Sequence, residues 1–222
     1  MFRNKHSRSL HLYSIVFLSC ILLNTWNLSG QSVSRTAKKW VATWSTGVQL
    51  VETRNNPPSP GLTDNTLRQV VRVSIGGEVL RVKFSNEYSK SPVTMHSVQI
   101  AASAGGSVIN QTTNIILTFN GSKEFTMDPG TAITSDPVAF KLQPRMDVAI
   151  TIYFGGTSAD ITGHPGSRTT SYILSGNKAF ETDLSGSVIT EHWYAINGID
   201  VQAPSTSSCV AILGNSITDG RG

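Results

Sequence analysis

Disulfide bonding is nearly excluded at the outset. The 222-residue chain has two cysteines, Cys20 and Cys209. Cys20 falls in a segment that reads as a removable leader, and without it Cys209 has no internal partner, so the fold must rest on its core. Cys209 lies in the apolar run Cys209-Val210-Ala211-Ile212-Leu213 with no adjacent base or cation. It is therefore expected to be a small buried core residue and not a nucleophile. Charge is scarce as well, at 14% of residues. Of the 18 Lys and Arg, Arg3, Lys5 and Arg8 sit in the first 30 residues, which hold no acid, leaving 15 bases against 14 acids. So nearly neutral a body has no basic run to neutralise phosphates, which argues against a nucleic-acid partner.

Long apolar runs are missing too. The longest, Leu12–Leu23, is well short of the roughly 20 residues that a spanning helix needs, so no stable membrane span is expected. Its setting is that of a secretory signal: a basic start, an apolar stretch, then small or polar residues to Gly30-Gln31. Cleavage is expected after Gly30, with export to a bacterial periplasm or medium. Phe17-Leu18-Ser19-Cys20 is a poor lipid-attachment box, because more apolar chain follows Cys20.

Helical periodicity is almost absent between Trp40 and Val201, and short strand patterns take its place. In Val71-Arg72-Val73-Ser74-Ile75 and Leu80-Arg81-Val82-Lys83-Phe84, apolar and polar residues alternate on either side of Gly76-Gly77. The pattern predicts a hairpin whose glycines supply the positive φ of a tight turn. Val71, Val73, Ile75, Leu80, Val82 and Phe84 are expected to face the core, with Arg72, Arg81 and Lys83 facing out. Further strands are expected at 93–101, 114–120, 137–140, 148–154, 169–174 and 187–196, and a loop at Arg54–Gly61. The fold class is mainly β, a β-sandwich or jelly roll over about residues 38–203.

Ala203-Pro204-Ser205-Thr206-Ser207-Ser208 is small and polar and reads as a linker. The continuous apolar run Val210-Ala211-Ile212-Leu213 then predicts a parallel strand buried on both faces, the opening strand of an α/β domain from about residue 208. A serine in the turn after such a strand presents its hydroxyl at the carboxyl end of the sheet, where backbone N–H groups of a following helix can hold an oxyanion. Three glycine motifs fail on spacing. Gly214 and Gly220 are six apart with Arg221 following, which does not fit GxxxxGK[ST], no GxGxxG is present, and Thr218 stands where a GxSxG elbow needs its second Gly.

Val210 to Gly220, ending Gly214-Asn215-Ser216-Ile217-Thr218-Asp219-Gly220, resembles the first sequence block of the SGNH hydrolases, also called GDSL esterases and lipases. Trp40–Trp44, Leu67–Asn86, Ser135–Val138 and His164–Tyr172 resemble the β-rich domain that precedes the catalytic domain in one branch of that family. The resemblance implies a flavodoxin-like α/β/α domain beginning at 208. Ser216 would be the nucleophile and its backbone N–H an oxyanion donor, with Gly214, Asn215, Asp219 and Gly220 supporting the turn. Asn215 stands in the family's usual Asp place, and Asp219 would be a helix-start group. It implies ester hydrolysis through an acyl-enzyme on a small-molecule or carbohydrate ester, with no cofactor and no metal. The family's later Gly, Asn, Asp and His are expected beyond Gly222, so these 222 residues alone are expected to be inactive.

Among the histidines of the β-region, His96 and His192 lie in strand patterns, and His164, between Gly163 and Pro165, is the one candidate accessory group. It lacks the spacing of a metal ligand set, and a loop-structuring role is the simpler expectation. Trp40, Trp44, Trp193 and Tyr194 could form a sugar-stacking platform, although aromatics in strand patterns more commonly serve a core. The rival to the hydrolase is a non-catalytic β-sandwich binding module with a vestigial GNSITDG tail.

Overall fold

The computed structural model describes residues 37–215 and 217–218. The expected leader, 1–30, and three site residues, Ser216, Asp219 and Gly220, lie outside them. The strands are β1 (Lys38–Ser45), β2 (Gln49–Leu50), β3 (Asn65–Arg72), β4 (Gly77–Ser85), β5 (Val93–Gly105), β6 (Val108–Ile109), β7 (Ile115–Ile116) and β8 (Phe125–Met127). They continue as β9 (Ala132–Thr134), β10 (Val138–Leu142), β11 (Asp147–Phe154), β12 (Thr162–Pro165), β13 (Ser171–Ser175), β14 (Val188–Thr190), β15 (His192–Tyr194) and β16 (Ile196–Pro204). No helix among the described residues is long and apolar enough to cross a membrane.

Two antiparallel sheets share one core, and a small third sheet accompanies them. The first runs β1-β16-β4-β10, with β9 also on β4; the second runs β14-β13-β3-β11-β5-β6, with β7 and β8 also on β5; the third is β15-β12-β2. Strand alternation dictates what each sheet sends inward. Leu80, Val82 and Phe84 of β4 and Ile199 and Val201 of β16 meet Leu67 and Val71 of β3, Val98 and Ile100 of β5 and Val148, Ile150 and Ile152 of β11 in one buried cluster. At ~1.5–3 kcal/mol for each fully buried aliphatic side chain, this cluster is the main source of stability.

The expected hairpin at Gly76-Gly77 does not form. β3 pairs with β13 and β11 while β4 pairs with β16 and β10, so residues 73–76 carry the chain from one sheet to the other across the edge of the core. The inward residues are as expected, apart from Ile75, which is half-buried. Alternation sets which face is apolar; it does not set the partner, and two strands facing each other across a sandwich show the same alternation as two strands side by side. Neither glycine has a positive φ. Both are needed for close approach: a Cβ on Gly76 would overlap the Leu142 carbonyl oxygen, and one on Gly77 would lie 2.5 Å from Val201 Cγ2 and 2.8 Å from the Gln202 carbonyl oxygen.

Buried polar groups knit the layers. The Gln69 side chain donates from Nε2 to the Tyr194 carbonyl at 3.0 Å and accepts the Tyr194 N–H at 2.6 Å, pairing like a strand residue with β15. Arg68 is 0% exposed. Its Nε donates to Thr151 Oγ1 at 2.9 Å, Nη1 to the carbonyls of Ser107 and of Thr182 (3.2 Å), and Nη2 to the Glu181 carbonyl at 2.7 Å. This guanidinium pins two surface loops over the outer face of the second sheet, where Ala101, Ile109 and Ala149 form a second buried cluster. Burial lowers the Arg68 pKa to about 10, with the Asp183 charge opposing, so the side chain stays charged at neutral pH.

Several expected strands are shorter or divided. Within 114–120 only Ile115–Ile116 joins a ladder, and 187–196 is split among β14, β15 and the start of β16, the backbone turning at Ala195 with φ 62°. β16 runs through Ala203 and Pro204, which pair with Lys39 and Lys38. The segment expected to be linker from Ala203 is thus partly strand, because Ala203 lies inward and is buried.

Two pairs of substitutions test this reading. Arg68→Met should destabilise the domain by about 3 kcal/mol, because it strips charged hydrogen bonds from buried carbonyls. Arg72→Met should cost little, since the Arg72–Asp147 pair is solvent-exposed; equal losses in urea unfolding would count against the clamp. Gly77→Ala should lose about 1–3 kcal/mol through overlap with β16, and Gly47→Ala, where a Cβ meets nothing within 4 Å, should melt close to wild type.

Candidate functional site

The chain leaves the sandwich through a turn in which Ser207 N–H donates to the Pro204 carbonyl. From there to Asn215 it forms no strand. Val210, Ile212 and Leu213 are 83%, 79% and 101% exposed, and Cys209 is exposed as well. The expected buried parallel strand and buried Cys209 are therefore absent among the described residues. The physical reason is plain: such a strand is buried only by neighbours on both sides and helices on both faces, and the sandwich offers it neither.

Of the expected site residues, Gly214 and Asn215 are described. Asn215 Oδ1 accepts the Ile217 N–H at 3.0 Å, an Asx turn in which a neutral amide oxygen serves as a carboxylate would. Gly214 folds close against Thr218, and a Cβ at 214 would overlap the Thr218 side chain.

His164 lies on β12, opposite Trp193 of β15. Its Nδ1 is 2.7 Å from the Gly47 carbonyl oxygen, so Nδ1 carries the proton and donates, and the ring lies 5.8 Å from the Trp193 ring. This contact ties the 45–47 loop to the small sheet, the loop-structuring role. The proposed aromatic platform is not assembled. Tyr194 is fully buried, with its hydroxyl donating to the Asn55 carbonyl. Trp44 and Trp193 pack edge-to-face at 4.9 Å against the core, and Trp40 carries the Arg81 guanidinium 4.4 Å above its ring.

A different constellation went unmarked in the sequence. Arg54, Asn55, Pro165, Gly166, Arg168, Glu191 and His192 line a cleft beside the small sheet. His192 Nδ1 accepts the Gly166 N–H at 2.9 Å, so the neutral ring holds its proton on Nε2. Burial of the ring keeps the His192 pKa below its ordinary value, against the opposing pull of Glu191 and Glu52. The only sequence signals were the turn residues Pro165 and Gly166 and a clustering of charge visible after folding. Among the described residues no group of three His, Cys, Asp or Glu is placed to hold a metal ion.

No protein-family model matches the chain, and no curated protein matches it.

The His192 geometry sets a pH dependence. In the unfolded chain the imidazole takes a proton near its ordinary pKa of about 6.5, whereas the folded ring resists it until lower pH. The stabilisation is full above about pH 6.5 and is lost as pH falls through the depressed folded pKa. Urea midpoints should therefore drop between neutrality and mildly acidic pH. His192→Asn, whose amide oxygen can still accept the Gly166 N–H, should flatten that slope. A wild-type slope in the variant would exclude His192 as its source.

Proposed function

We propose that this chain carries the beginning of an exported serine ester hydrolase of the SGNH type, with Ser216 as the nucleophile. The observation that carries the reading is the contrast at Pro204. Before it lies a sandwich whose inner faces share a single core; after it comes an apolar run with no partner of its own, ending in Gly214-Asn215-Ser216. Four apolar residues in sequence, left in solvent, find their natural burial as a central strand between other parallel strands. On that reading Ser216 follows the strand in sequence, next to Asn215, whose side chain accepts the Ile217 N–H.

The acid and base that activate the serine come from outside these 222 residues. His96 is paired with Glu124 at 2.6 Å, His164 with the Gly47 carbonyl, and His192 with the Gly166 N–H. Each is held to the sandwich. Without a base, a serine hydroxyl is a weak nucleophile. The chemistry would be attack of Ser216 Oγ on an ester carbonyl, release of the alcohol, and hydrolysis of the acyl-enzyme by water. A carbohydrate ester, such as an acetyl ester, is the substrate class that fits an exported protein of this kind, and the segment 1–30 is its export signal.

In the complete reading-frame product, a fluorophosphonate probe should label Ser216, and p-nitrophenyl acetate should be hydrolysed; residues 31–222 should do neither. Ser216→Ala should lower kcat by about 10³-fold or more, while His164→Ala should retain most of the activity. Near-wild-type turnover in Ser216→Ala would remove the nucleophile assignment, and a reading frame that encodes no further domain would favour the non-catalytic binding module.

A further inference from the structure

Asn-Gly steps occur twice in the chain, at Asn120-Gly121 and at Asn197-Gly198. Such a step is open to spontaneous deamidation, because glycine has no side chain to shield its nitrogen or to restrict the backbone around it. The glycine nitrogen attacks the asparagine side-chain carbon, an N–Cγ bond forms, and the Cγ–Nδ2 bond breaks. Nδ2 leaves as ammonia, carrying the proton that the glycine nitrogen gives up. Water then opens the cyclic imide at one or other carbonyl and leaves aspartate or isoaspartate.

The two steps differ in setting. Asn197-Gly198 lies within β16, where Gly198 is buried and paired with Ser45 of β1 and Lys83 of β4. Asn120 and Gly121 are both exposed and form the tip of a tight turn. Phe119 N–H donates to the Ser122 carbonyl at 2.7 Å, and Ser122 N–H returns to the Phe119 carbonyl at 3.0 Å. φ is 51° at Asn120 and 81° at Gly121, the two positive values that a type I′ turn requires. Asp136, just before β10, reaches across to this turn. Its Oδ1 accepts the Asn120 N–H at 3.0 Å, and its Oδ2 accepts the Gly121 N–H at 2.8 Å and the Thr118 hydroxyl at 2.6 Å. The carboxylate is positioned in turn by its own backbone, since Asp136 N–H donates to the Thr118 carbonyl at 2.7 Å.

We propose that Asn120 is a latent deamidation site and that Asp136 is its guard. In the cyclic imide the new N–Cγ bond takes the direction that the N–H bond held. In the folded chain Asp136 Oδ2 stands in that direction, 2.8 Å from the Gly121 nitrogen, so the Asn120 side-chain carbon cannot take its place until the bond to Asp136 breaks. The same bond keeps the proton on the nitrogen, because deprotonation would set an amide anion against a carboxylate. Failure of the guard would reach the core. Isoaspartate adds a carbon to the backbone of a turn with no residue to spare, and the adjoining Phe119 is 1% exposed, with its ring 5.8 Å from that of Phe84 and 5.6 Å from that of Phe125. The guard is independent of the hydrolase reading of Ser216, since all its residues belong to the sandwich.

Age the 222-residue chain at mildly alkaline pH, folded and in urea, and follow Asn120 and Asn197 by peptide mapping with mass spectrometry. In urea both steps should deamidate; in the folded wild type both should stay intact over the same period. Asp136→Asn, uncharged and with one oxygen in place of two, should raise the folded-state rate at Asn120 by about tenfold or more. Asn197, held in β16, should keep its wild-type rate and so reports any unfolding of the variant. Thr118→Val should raise the rate at Asn120 less, because both N–H bonds to Asp136 remain. Wild-type Asn120 deamidating as fast folded as in urea, or an Asp136→Asn rate equal to wild type, would overturn the proposal. So would equal acceleration at Asn120 and Asn197, which would assign the protection to the fold as a whole.

Discussion

The outer face of the larger sheet depends on one buried cation. A sandwich has two inner faces to cover with aliphatic side chains, and that part of the problem is solved by alternation alone. Its outer faces ordinarily stay wet. Here Arg68 points outward from a central strand and yet is wholly buried, because the loops around Ser107 and Glu181–Thr182 fold over it and give it their carbonyls. A guanidinium has several donors in a fixed plane, so it can organise several backbone acceptors at once where a lysine or an apolar residue cannot. Removing it would leave carbonyls buried without donors, which is dearer than never having buried them. Those loops in turn cover Ala101 and Ala149, and Ser107 Oγ is bonded to Asp183, so the covering layer follows from the one charge beneath it.

What was legible in the sequence was everything that period-two alternation encodes. Leu80, Val82 and Phe84 were expected inward and are buried, and the alternating Val148, Ile150, Ile152 and Phe154 of the strand expected at 148–154 are buried too. What was not legible was which strand sits beside which. The β3–β4 pair shows why: the two segments face the same core from opposite sheets, and their joint alternation is indistinguishable from a hairpin's. The glycines between them reinforced the wrong reading, since a glycine required for close approach looks the same in sequence as one required for positive φ. Arg68 and Gln69 were hidden by the ordinary rule that long polar side chains stay outside. Their burial depends on carbonyls, a hydroxyl and an amide supplied from residues 39 to 125 positions away.

The site divides along the same line. Many residues that carry the family resemblance in the β-region turn out to hold the fold. Asp136 accepts from Thr118 Oγ1 and from the N–H groups of Asn120 and Gly121, and these bonds, the Thr118 hydroxyl foremost, keep its carboxyl below the usual carboxylate range. Ser135 Oγ accepts the Val82 N–H, and Ser171 Oγ donates to the His192 carbonyl. The local turn chemistry of Asn215 could be foreseen from residue type, whereas the exposure of Val210–Leu213 could not, because burial is a property of neighbours and not of the run itself. The Arg54–His192 cleft was illegible for the opposite reason: its residues are unremarkable one by one and come from three separated segments.

One further consequence follows from the pairing of the first and last strands. Lys38 lies opposite Pro204 in an antiparallel ladder, and Ser205 N–H closes on the Ala37 carbonyl at 2.8 Å, so the two chain ends of the sandwich emerge side by side. Tension applied through those ends would not shear the ladder, loading all its hydrogen bonds together. It would open them in succession from the Lys38–Pro204 end, like a zip. A domain connected in this way is mechanically soft along its own tether however stable it is in solution, and under pull its first loss would be β1, carrying Trp40 away from Arg81.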